Sequence, residues 1–289
     1  MKTLLLDVGG TFIKCSDGRE IPIRSDGSRE EISSSFAEAV GAFCNEDSCV
    51  NDAETASGNR QRDCEIAVAI PGPFDYERGI FLMKHKFSAV YGMSFREVAG
   101  VPSCVRLLFT HDVNVMLAGE MFYGNGRGYS RVALVALGTG LGFAMSIDGR
   151  ILKKATGSPL VSIFGLPYRD GILEDYASKR GFLGTFKALG GQGAATVKDI
   201  AEFAGGGDKA ALETFRTIGS TIARTISPIL KEYGIECLLF GGQISRSFRF
   251  LEPALREGLS GVESLVEISQ VSNFDNATFN GLRAMLRQE

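Results

Sequence analysis

Three short glycine-bearing turns carry the strongest chemical signal in the sequence. They are D-V-G-G-T at 7–11, L-G-T-G-L-G at 137–142 and F-G-G-Q at 240–243. Glycine permits positive φ and close approach of a ligand, and successive N–H groups at such turns bind anions. The turns therefore supply these candidate phosphate-binding residues: Gly9, Gly10, Thr11, Gly138, Thr139, Gly140, Gly241 and Gly242. A single Gly-Gly after a strand is more often a plain tight turn, so the prediction rests on the order of all three.

Asp7 precedes the first turn and is the candidate metal ligand. It would hold Mg²⁺ directly or through water, because magnesium prefers one or two carboxylates and keeps several waters. The sequence contains neither a Walker A loop nor a G-x-G-x-x-G fingerprint, which argues against the P-loop and Rossmann classes of nucleotide-binding protein.

The elements that would position these turns alternate between strands and helices. Apolar runs predict buried strands, whereas apolar residues at helical spacing in 28–44 and 172–233 predict helices. The polar stretch 45–63 predicts a surface loop. Two strand–glycine–strand units, each followed by strands and helices, predict an α/β fold with duplicated lobes. Strands are predicted at 3–7, 12–15, 21–24, 66–70, 105–110, 131–147 (two strands around a turn) and 236–240, with further helices at 112–123 and 276–287.

Composition excludes several classes of function. The 289 residues are 44% apolar and 22% charged, with a net charge of -3, which suits a globular protein and offers no basic surface for nucleic acid. The apolar run at the N-terminus is too short for a signal peptide, and no run approaches a membrane span, so a cytoplasmic location is expected. The six cysteines form no C-x-x-C pair, which is typical of reduced structural thiols.

Six motifs in order resemble those of the ROK family (repressors, open reading frames, kinases) over essentially the full chain. The turns at 7–11 and 137–142 resemble the family's two phosphate loops, and the turn at 240–243 resembles its adenosine-side motif. The other three matches are A-I-P-G-P at 69–73, H-D-V-N at 111–114 with G-E at 119–120, and G-I-L-E at 171–174.

The resemblance implies a two-lobed actin-like (ribonuclease H-like) ATPase fold with duplicated βββαβαβα-type domains. It implies an N-terminal lobe at 1–113, joined by the C-terminal helix at 276–289, and a C-terminal lobe at 114–275. The implied activity is transfer of the γ-phosphoryl of Mg-ATP to a hydroxyl of a hexose or amino sugar. Asp112 matches the family's catalytic aspartate and would act as general base. Its alternative role is a helix N-cap, and the two roles are compatible.

The resemblance also assigns the sugar side of the site, where this sequence departs from the pattern. The implied sugar-binding residues are Gly72, His85, His111, Asp112 and Glu174. His111 replaces the family's usual asparagine, and 157–161 (G-S-P-L-V) lacks the glutamate and histidine of the family's G-E-x-G-H stretch. The family's cysteine-rich zinc motif is absent, so no zinc is expected.

Three functions are consistent with the sequence: a sugar kinase, a non-catalytic sugar or nucleotide sensor, and a kinase for another acceptor such as a polyol. The family's repressors carry an N-terminal helix-turn-helix domain, whereas this chain starts at the first phosphate strand, so DNA binding is disfavoured. The expected partners are a small-molecule sugar and ATP, with no nucleic acid and no membrane. The resemblance suggests a homodimer.

Overall fold

The strands and helices below come from a computed structural model, which describes residues 2–41, 43 and 64–287. The loop predicted at 45–63 lies outside the described residues. The strands are β1 Lys2–Val8, β2 Phe12–Cys15, β3 Glu20–Pro22, β4 Cys64–Ile70, β5 Phe74–Asp75, β6 Ile80–Phe81, β7 Arg106–His111, β8 Arg131–Leu137, β9 Leu141–Ile147, β10 Arg150–Ile151, β11 Pro167–Tyr168, β12 Gly171–Ile172, β13 Cys237–Gly241 and β14 Glu267–Gln270. The α-helices are α1 Arg29–Gly41, α2 Phe95–Ala99, α3 Asp112–Tyr123, α4 Leu173–Ala177, α5 Lys179–Ala188, α6 Val197–Gly205, α7 Lys209–Tyr233, α8 Phe248–Leu259 and α9 Ala277–Leu286.

The chain divides into two compact units. Unit 1 comprises Met1–Val115, Lys153–Ser158 and Thr278–Glu289, and unit 2 comprises Met116–Leu152 and Pro159–Ala277. The lobe boundaries stated above from the resemblance stay a prediction.

The sheet of unit 1 has the order β3-β2-β1-β4-β7. Strands β3, β2 and β1 are antiparallel, while β1, β4 and β7 run parallel, so the carboxyl ends of β1, β4 and β7 meet at one edge. Strand β4 is buried throughout, as its run C-E-I-A-V-A-I predicts. The rings of Phe36, Phe74, Phe81 and Phe95 form connected contacts in the core of the unit, with centroid distances from 5.0 Å between Phe36 and Phe95 to 6.3 Å between Phe81 and Phe95.

The sheet of unit 2 repeats this topology in the order β10-β9-β8-β13-β14. The first three strands are again antiparallel, and β8, β13 and β14 are parallel. The long helix α7 packs with α8 and α5 over a core that includes Phe182, Phe215 and Phe240. The repeated topology confirms the predicted α/β fold with duplicated lobes, and it places the turns after β1 and after β8 at equivalent positions.

Several elements differ from those predicted. The last strand predicted from the sequence is 236–240, whereas the structure has a further strand, β14, later in the chain. Helices α2 and α8 were also not predicted. The cysteines were expected to be reduced, but Cys104 is disulfide-bonded, so this expectation is wrong for Cys104. Cys15 and Cys237 are free thiols. Within 2–41, 43 and 64–287, every helix falls short of the length and apolarity that a bilayer crossing needs.

Candidate active site

The first glycine turn connects β1 to β2 in unit 1. The Gly9 N–H donates to the Phe12 carbonyl at 2.9 Å, which closes the turn, and a Cβ on Gly9 would lie 3.1 Å from that carbonyl oxygen. Gly9 and Gly10 do not have positive φ, so the expected left-handed backbone is wrong here. At Gly9 the advantage of glycine is therefore that it avoids crowding within the turn. Thr11 is exposed and its hydroxyl is accessible.

Two carboxylates lie near this turn, Asp7 at the end of β1 and Asp112 at the start of α3. Burial, followed by the nearby charge of Asp112, raises the pKa of Asp7 from 3.8 to about 6, against the opposing effects of Lys14 and of a hydrogen bond with Thr278. Two acids this close favour a bound cation or a shared proton, because ionising both costs free energy. The donor set therefore fits a magnesium ion held largely by waters and one carboxylate.

Asp112 is oriented by its own neighbours in sequence. Its Oδ1 accepts hydrogen bonds from the Val113 N–H at 2.7 Å and from Nδ1 of His111 at 2.8 Å. Burial tends to raise the pKa of Asp112, but the His111 and Val113 contacts and the charge of Lys86 together hold it below its usual value. The side chain keeps 45% of its area exposed. Asp112 is itself the first residue of α3 and accepts from the N–H of the next residue, so it does not make the predicted N-cap contact, and His111 precedes the helix instead. The carboxylate is ionised, and solvent and ligands can reach it.

The loop after β4 lies against His111. A Cβ on Gly72 would lie 3.4 Å from Cδ2 of His111 and 3.3 Å from the hydroxyl of Tyr76, so any larger residue would press on both. Tyr76 is buried, donates to the Ile70 carbonyl at 3.0 Å and places its ring 5.8 Å from the imidazole. Burial raises the pKa of Tyr76, and so the phenol stays protonated. The sequence analysis missed Tyr76, although an aromatic residue three positions after P-G-P was a readable signal.

The segment Lys153–Ser158 packs onto unit 1 beside these residues. The Asn114 amide donates to the Gly157 carbonyl at 3.1 Å, and the Tyr76 N–H donates to the Thr156 carbonyl at 3.2 Å. Gly157 has φ +85°, a conformation that favours glycine. Oδ1 of Asn114 is buried and has no hydrogen-bond partner among the described residues. Asn114, the last residue of the H-D-V-N motif, therefore holds Gly157, the first residue of the stretch 157–161 that differs from the family pattern.

The second glycine turn connects β8 to β9 in unit 2, and Glu174 supports it. Oε2 of Glu174 accepts from the Leu141 N–H at 2.9 Å, and Oε1 pairs with Arg180 at 3.2 Å. A Cβ on Gly140 would lie 2.9 Å from Oε2. Thr139 and Gly140 are exposed, and the Gly138 carbonyl accepts from the Lys179 N–H at 2.9 Å. The Glu174 carboxylate, which was predicted to bind sugar, thus bonds instead to the turn and to Arg180.

The third turn follows β13 in unit 2. Gly242 has φ +79°, and a Cβ there would lie 2.3 Å from the Leu137 carbonyl oxygen, so both backbone conformation and space require glycine. A Cβ on Gly241 would lie 2.3 Å from the sulfur of Met116. The Ser245 hydroxyl donates to the Gly241 carbonyl at 2.6 Å from the short 3₁₀ helix Gln243–Ser247. The turn is therefore fixed by packing and is tied to the end of β8.

The remaining predicted residue, His85, is exposed. In unit 1 the structure brings together Asp7, the first turn, Gly72, His111 and Asp112, while Glu174 and the other two turns belong to unit 2. The sequence analysis also missed Thr278 of α9, which hydrogen-bonds Asp7. No local motif marks that threonine, because it lies 271 residues further along the chain.

Sugar kinases and a transcriptional repressor are among the known proteins similar to this chain. A glucokinase of Thermotoga maritima is 25% identical over 214 residues, which cover 66% of this chain and 68% of that protein. The transcriptional repressor Mlc of Escherichia coli is 24% identical over 244 residues, covering 78% of this chain but 59% of the repressor. A ROK family glucokinase from Streptomyces griseus, solved with glucose and AMPPNP, superposes with a TM-score of 0.74 at 20% identity over 99% of both chains.

The structural likeness confirms the predicted actin-like ATPase fold. The model of the ROK family matches residues 6–159 and 167–284, which together are most of the sequence. The chain therefore belongs to the ROK family.

Proposed function

We propose that this protein is a sugar kinase that transfers the γ-phosphoryl of Mg-ATP to a hydroxyl of a hexose or amino sugar. The glucokinase relatives support the general activity. The observation that carries the detailed proposal is the Asp112 carboxylate, ionised, partly exposed and oriented by two hydrogen bonds, near Asp7 at the first glycine turn.

Asp112 is the general base in this proposal. One carboxylate oxygen takes the proton of the sugar hydroxyl while the hydroxyl oxygen forms a bond to the γ-phosphorus. The bond between that phosphorus and the oxygen that bridges it to the β-phosphate breaks. ADP leaves with the electron pair of that bond. Because phosphoryl transfer depends mainly on positioning and electrostatics, the base contributes about 10²–10⁴-fold. Asp112 also orients the sugar hydroxyl in this proposal. The hydrogen bonds from Val113 and His111 hold its carboxylate in place before the substrate binds.

Asp7 and the turns are assigned to Mg-ATP. Asp7 would hold the magnesium through water, and the ion would neutralise phosphate charge. The raised pKa of Asp7 supports this assignment, since a cation would relieve the repulsion between Asp7 and Asp112. Backbone N–H groups and hydroxyls supply the anion contacts. The proposed nucleotide residues are Gly9, Gly10, Thr11, Gly138, Thr139, Gly140, Gly241 and Gly242.

His111, Gly72 and Asp112 are assigned to the sugar. The absence of a side chain on Gly72 leaves room beside His111, whose Nε2 faces away from the bond that Nδ1 makes to Asp112. The sugar contacts predicted for His85 and Glu174 stay predictions. Sites that hydrogen-bond hydroxyls discriminate strongly, so the replaced residues at 157–161 are expected to alter the preferred sugar.

A second candidate is a sugar or nucleotide sensor without turnover. The similarity to the repressor Mlc favours it, although the chain spans 59% of that protein's length. A sensor would bind sugar or ATP and release no ADP, whereas the kinase releases ADP only when an acceptor is present. A cytoplasmic location and a homodimer remain predictions under either function.

The test is ADP release from Mg-ATP across hexoses, ketoses, N-acetylated amino sugars and polyols. Turnover with a hexose or an amino sugar supports the proposal and names the acceptor. Turnover only with a polyol supports the predicted alternative acceptor. Binding of ATP and sugar in thermal-shift assays with no ADP release from any acceptor favours the sensor.

A further inference from the structure

Lys86 lies beside the first glycine turn. Its Cε and Nζ are each 3.7 Å from the position that a Cβ on Gly10 would occupy, so the ammonium lies over the part of the turn that has no side chain. The same ammonium is close enough to Asp112 to lower the pKa of that carboxyl. Gly10, Lys86 and Asp112 all belong to unit 1. The lysine therefore stands beside the predicted phosphate loop and beside the proposed base.

The backbone next to Lys86 is firmly held. Phe87 is fully buried, and its φ of 53° is a left-handed conformation that costs a non-glycine residue free energy. Its N–H donates to the Ser25 carbonyl at 2.5 Å, and its ring packs 5.7 Å from Phe81 and 5.9 Å from Phe36. Ser25 is in turn bound to Gly10, because its N–H donates to the Gly10 carbonyl at 3.3 Å. This chain of contacts fixes where Lys86 leaves the backbone relative to the turn.

Lys86 has no carboxylate in direct contact within the part of the chain that the structure describes. Among the described residues, Lys86 makes no ion pair within 4.0 Å, although the chain forms such pairs at many other lysines and arginines. Lys84, two residues earlier, is exposed and places its ammonium 5.5 Å from the centre of the Tyr91 ring. Lys86 is half-buried by contrast. A half-buried, unpaired ammonium beside a turn rich in N–H groups is suited to bind an anion.

We propose that Lys86 is a catalytic residue whose ammonium contacts the oxygens of the phosphoryl group during its transfer to the acceptor. This inference rests on the proposed kinase function and adds a cation to the proposed site. The transferred group carries its charge on the three equatorial oxygens, and a fixed cation stabilises that charge without reorganising at the moment of reaction. Because the stabilisation is greatest in the transition state, the lysine acts on kcat more than on KM.

The experiment compares Lys86→Met, Lys86→Arg and the matched control Lys84→Met in the steady-state kinetics of the acceptor that gives turnover. We expect Lys86→Met to lower kcat by about 10²–10³-fold, with the KM for ATP and for sugar changed by less than about threefold. Lys86→Arg should recover part of the loss, since it keeps the charge, and Lys84→Met should match the wild type. Melting temperatures of all variants within about 2 °C of the wild type establish that Lys86→Met folds, since methionine keeps the apolar stem of lysine.

Two results would overturn the inference: a kcat of Lys86→Met within about threefold of the wild type, or a loss confined to the KM for sugar, which would make the lysine an acceptor contact. If the wild type turns over no acceptor, the proposed function fails, and binding of inorganic tripolyphosphate, measured by calorimetry, tests Lys86 separately. A Kd at least about tenfold weaker in Lys86→Met than in Lys84→Met then supports an anion contact. Equal Kd values refute it.

Discussion

Replacing Asp7 by asparagine should stabilise the protein when magnesium and nucleotide are absent. The pKa of Asp7 rises from 3.8 to about 6 on folding, so its ionised form is disfavoured in the folded state. A shift of about two units at 1.36 kcal/mol each corresponds to a penalty of about 3 kcal/mol at pH 7.5. Asparagine removes the charge and can keep the hydrogen bond with Thr278, so most of the penalty should disappear.

The sign of the pH dependence follows from the same shift. Because the pKa of Asp7 is raised in the folded state, the penalty is complete above about pH 6 and falls as pH decreases toward 3.8. Lowering the pH from 7.5 to 5 should therefore relieve about 1.4 kcal/mol of it in the wild type and none in Asp7→Asn. The difference in free energy of unfolding between Asp7→Asn and the wild type should therefore be about 1.4 kcal/mol smaller at pH 5 than at pH 7.5.

Urea denaturation followed by far-ultraviolet circular dichroism, in EDTA at pH 7.5 and pH 5, measures these differences. The matched control is Asp26→Asn, an exposed aspartate of the same unit whose side chain keeps 80% of its area accessible. This control should match the wild type at both values of pH. If Asp7→Asn is less stable than the wild type at pH 7.5, or if its stability relative to the wild type does not change with pH, Asp7 does not destabilise the folded protein in this way.

Three further substitutions test the roles of His111, Gly281 and Glu174. Burial tends to raise the pKa of Asp112, whereas His111, Val113 and Lys86 lower it, so replacing His111 by alanine should let this pKa rise and move the acidic limb of the kcat/KM profile to higher pH; an unmoved limb contradicts this. Gly281→Ala would bring a Cβ within 1.7 Å of the Val115 carbonyl oxygen, and urea denaturation should show a loss of about 1–3 kcal/mol or more; wild-type stability would show that α9 can shift freely. Glu174→Gln weakens support of the second glycine turn, so the KM for Mg-ATP should rise by about 3–10-fold and exceed the change in the KM for sugar; the reverse ranking would indicate direct sugar contact.

Features set by local sequence were predictable from this chain. Helix α3 begins at Asp112 and ends at Tyr123, as its apolar pattern predicts, and the turns after β1, β8 and β13 lie where glycine follows an apolar strand. These features depend on neighbouring residues alone, since strand alternation, helix periodicity and turn chemistry act within a few positions. The family motifs then gave the candidate residues a common context.

Features set by distant contacts were not predictable. Strand β14 has four residues, E-I-S-Q, and becomes a strand because β13 offers it a parallel edge. Glu174 supports a turn 33 residues earlier in the chain, and no local pattern announces that bond. The expectation of positive φ at the turns holds for Gly242 and fails for the other turn glycines, Gly9, Gly10, Gly138, Gly140 and Gly241. At Gly9 the crowding comes instead from the Phe12 carbonyl oxygen, 3.1 Å from the position of a Cβ.

Mass spectrometry of the product, together with ADP release in Asp112→Asn, tests whether Asp112 is the base of a phosphoryl transfer to sugar. In the wild type and in the control Asp26→Asn, one sugar phosphate should form for each ADP released. Asp112→Asn should lose about 10²–10⁴-fold in kcat while its Kd for ATP stays unchanged. Formation of sugar phosphate by Asp112→Asn within about threefold of the wild-type rate, or ADP without any sugar phosphate in the wild type, would contradict the account.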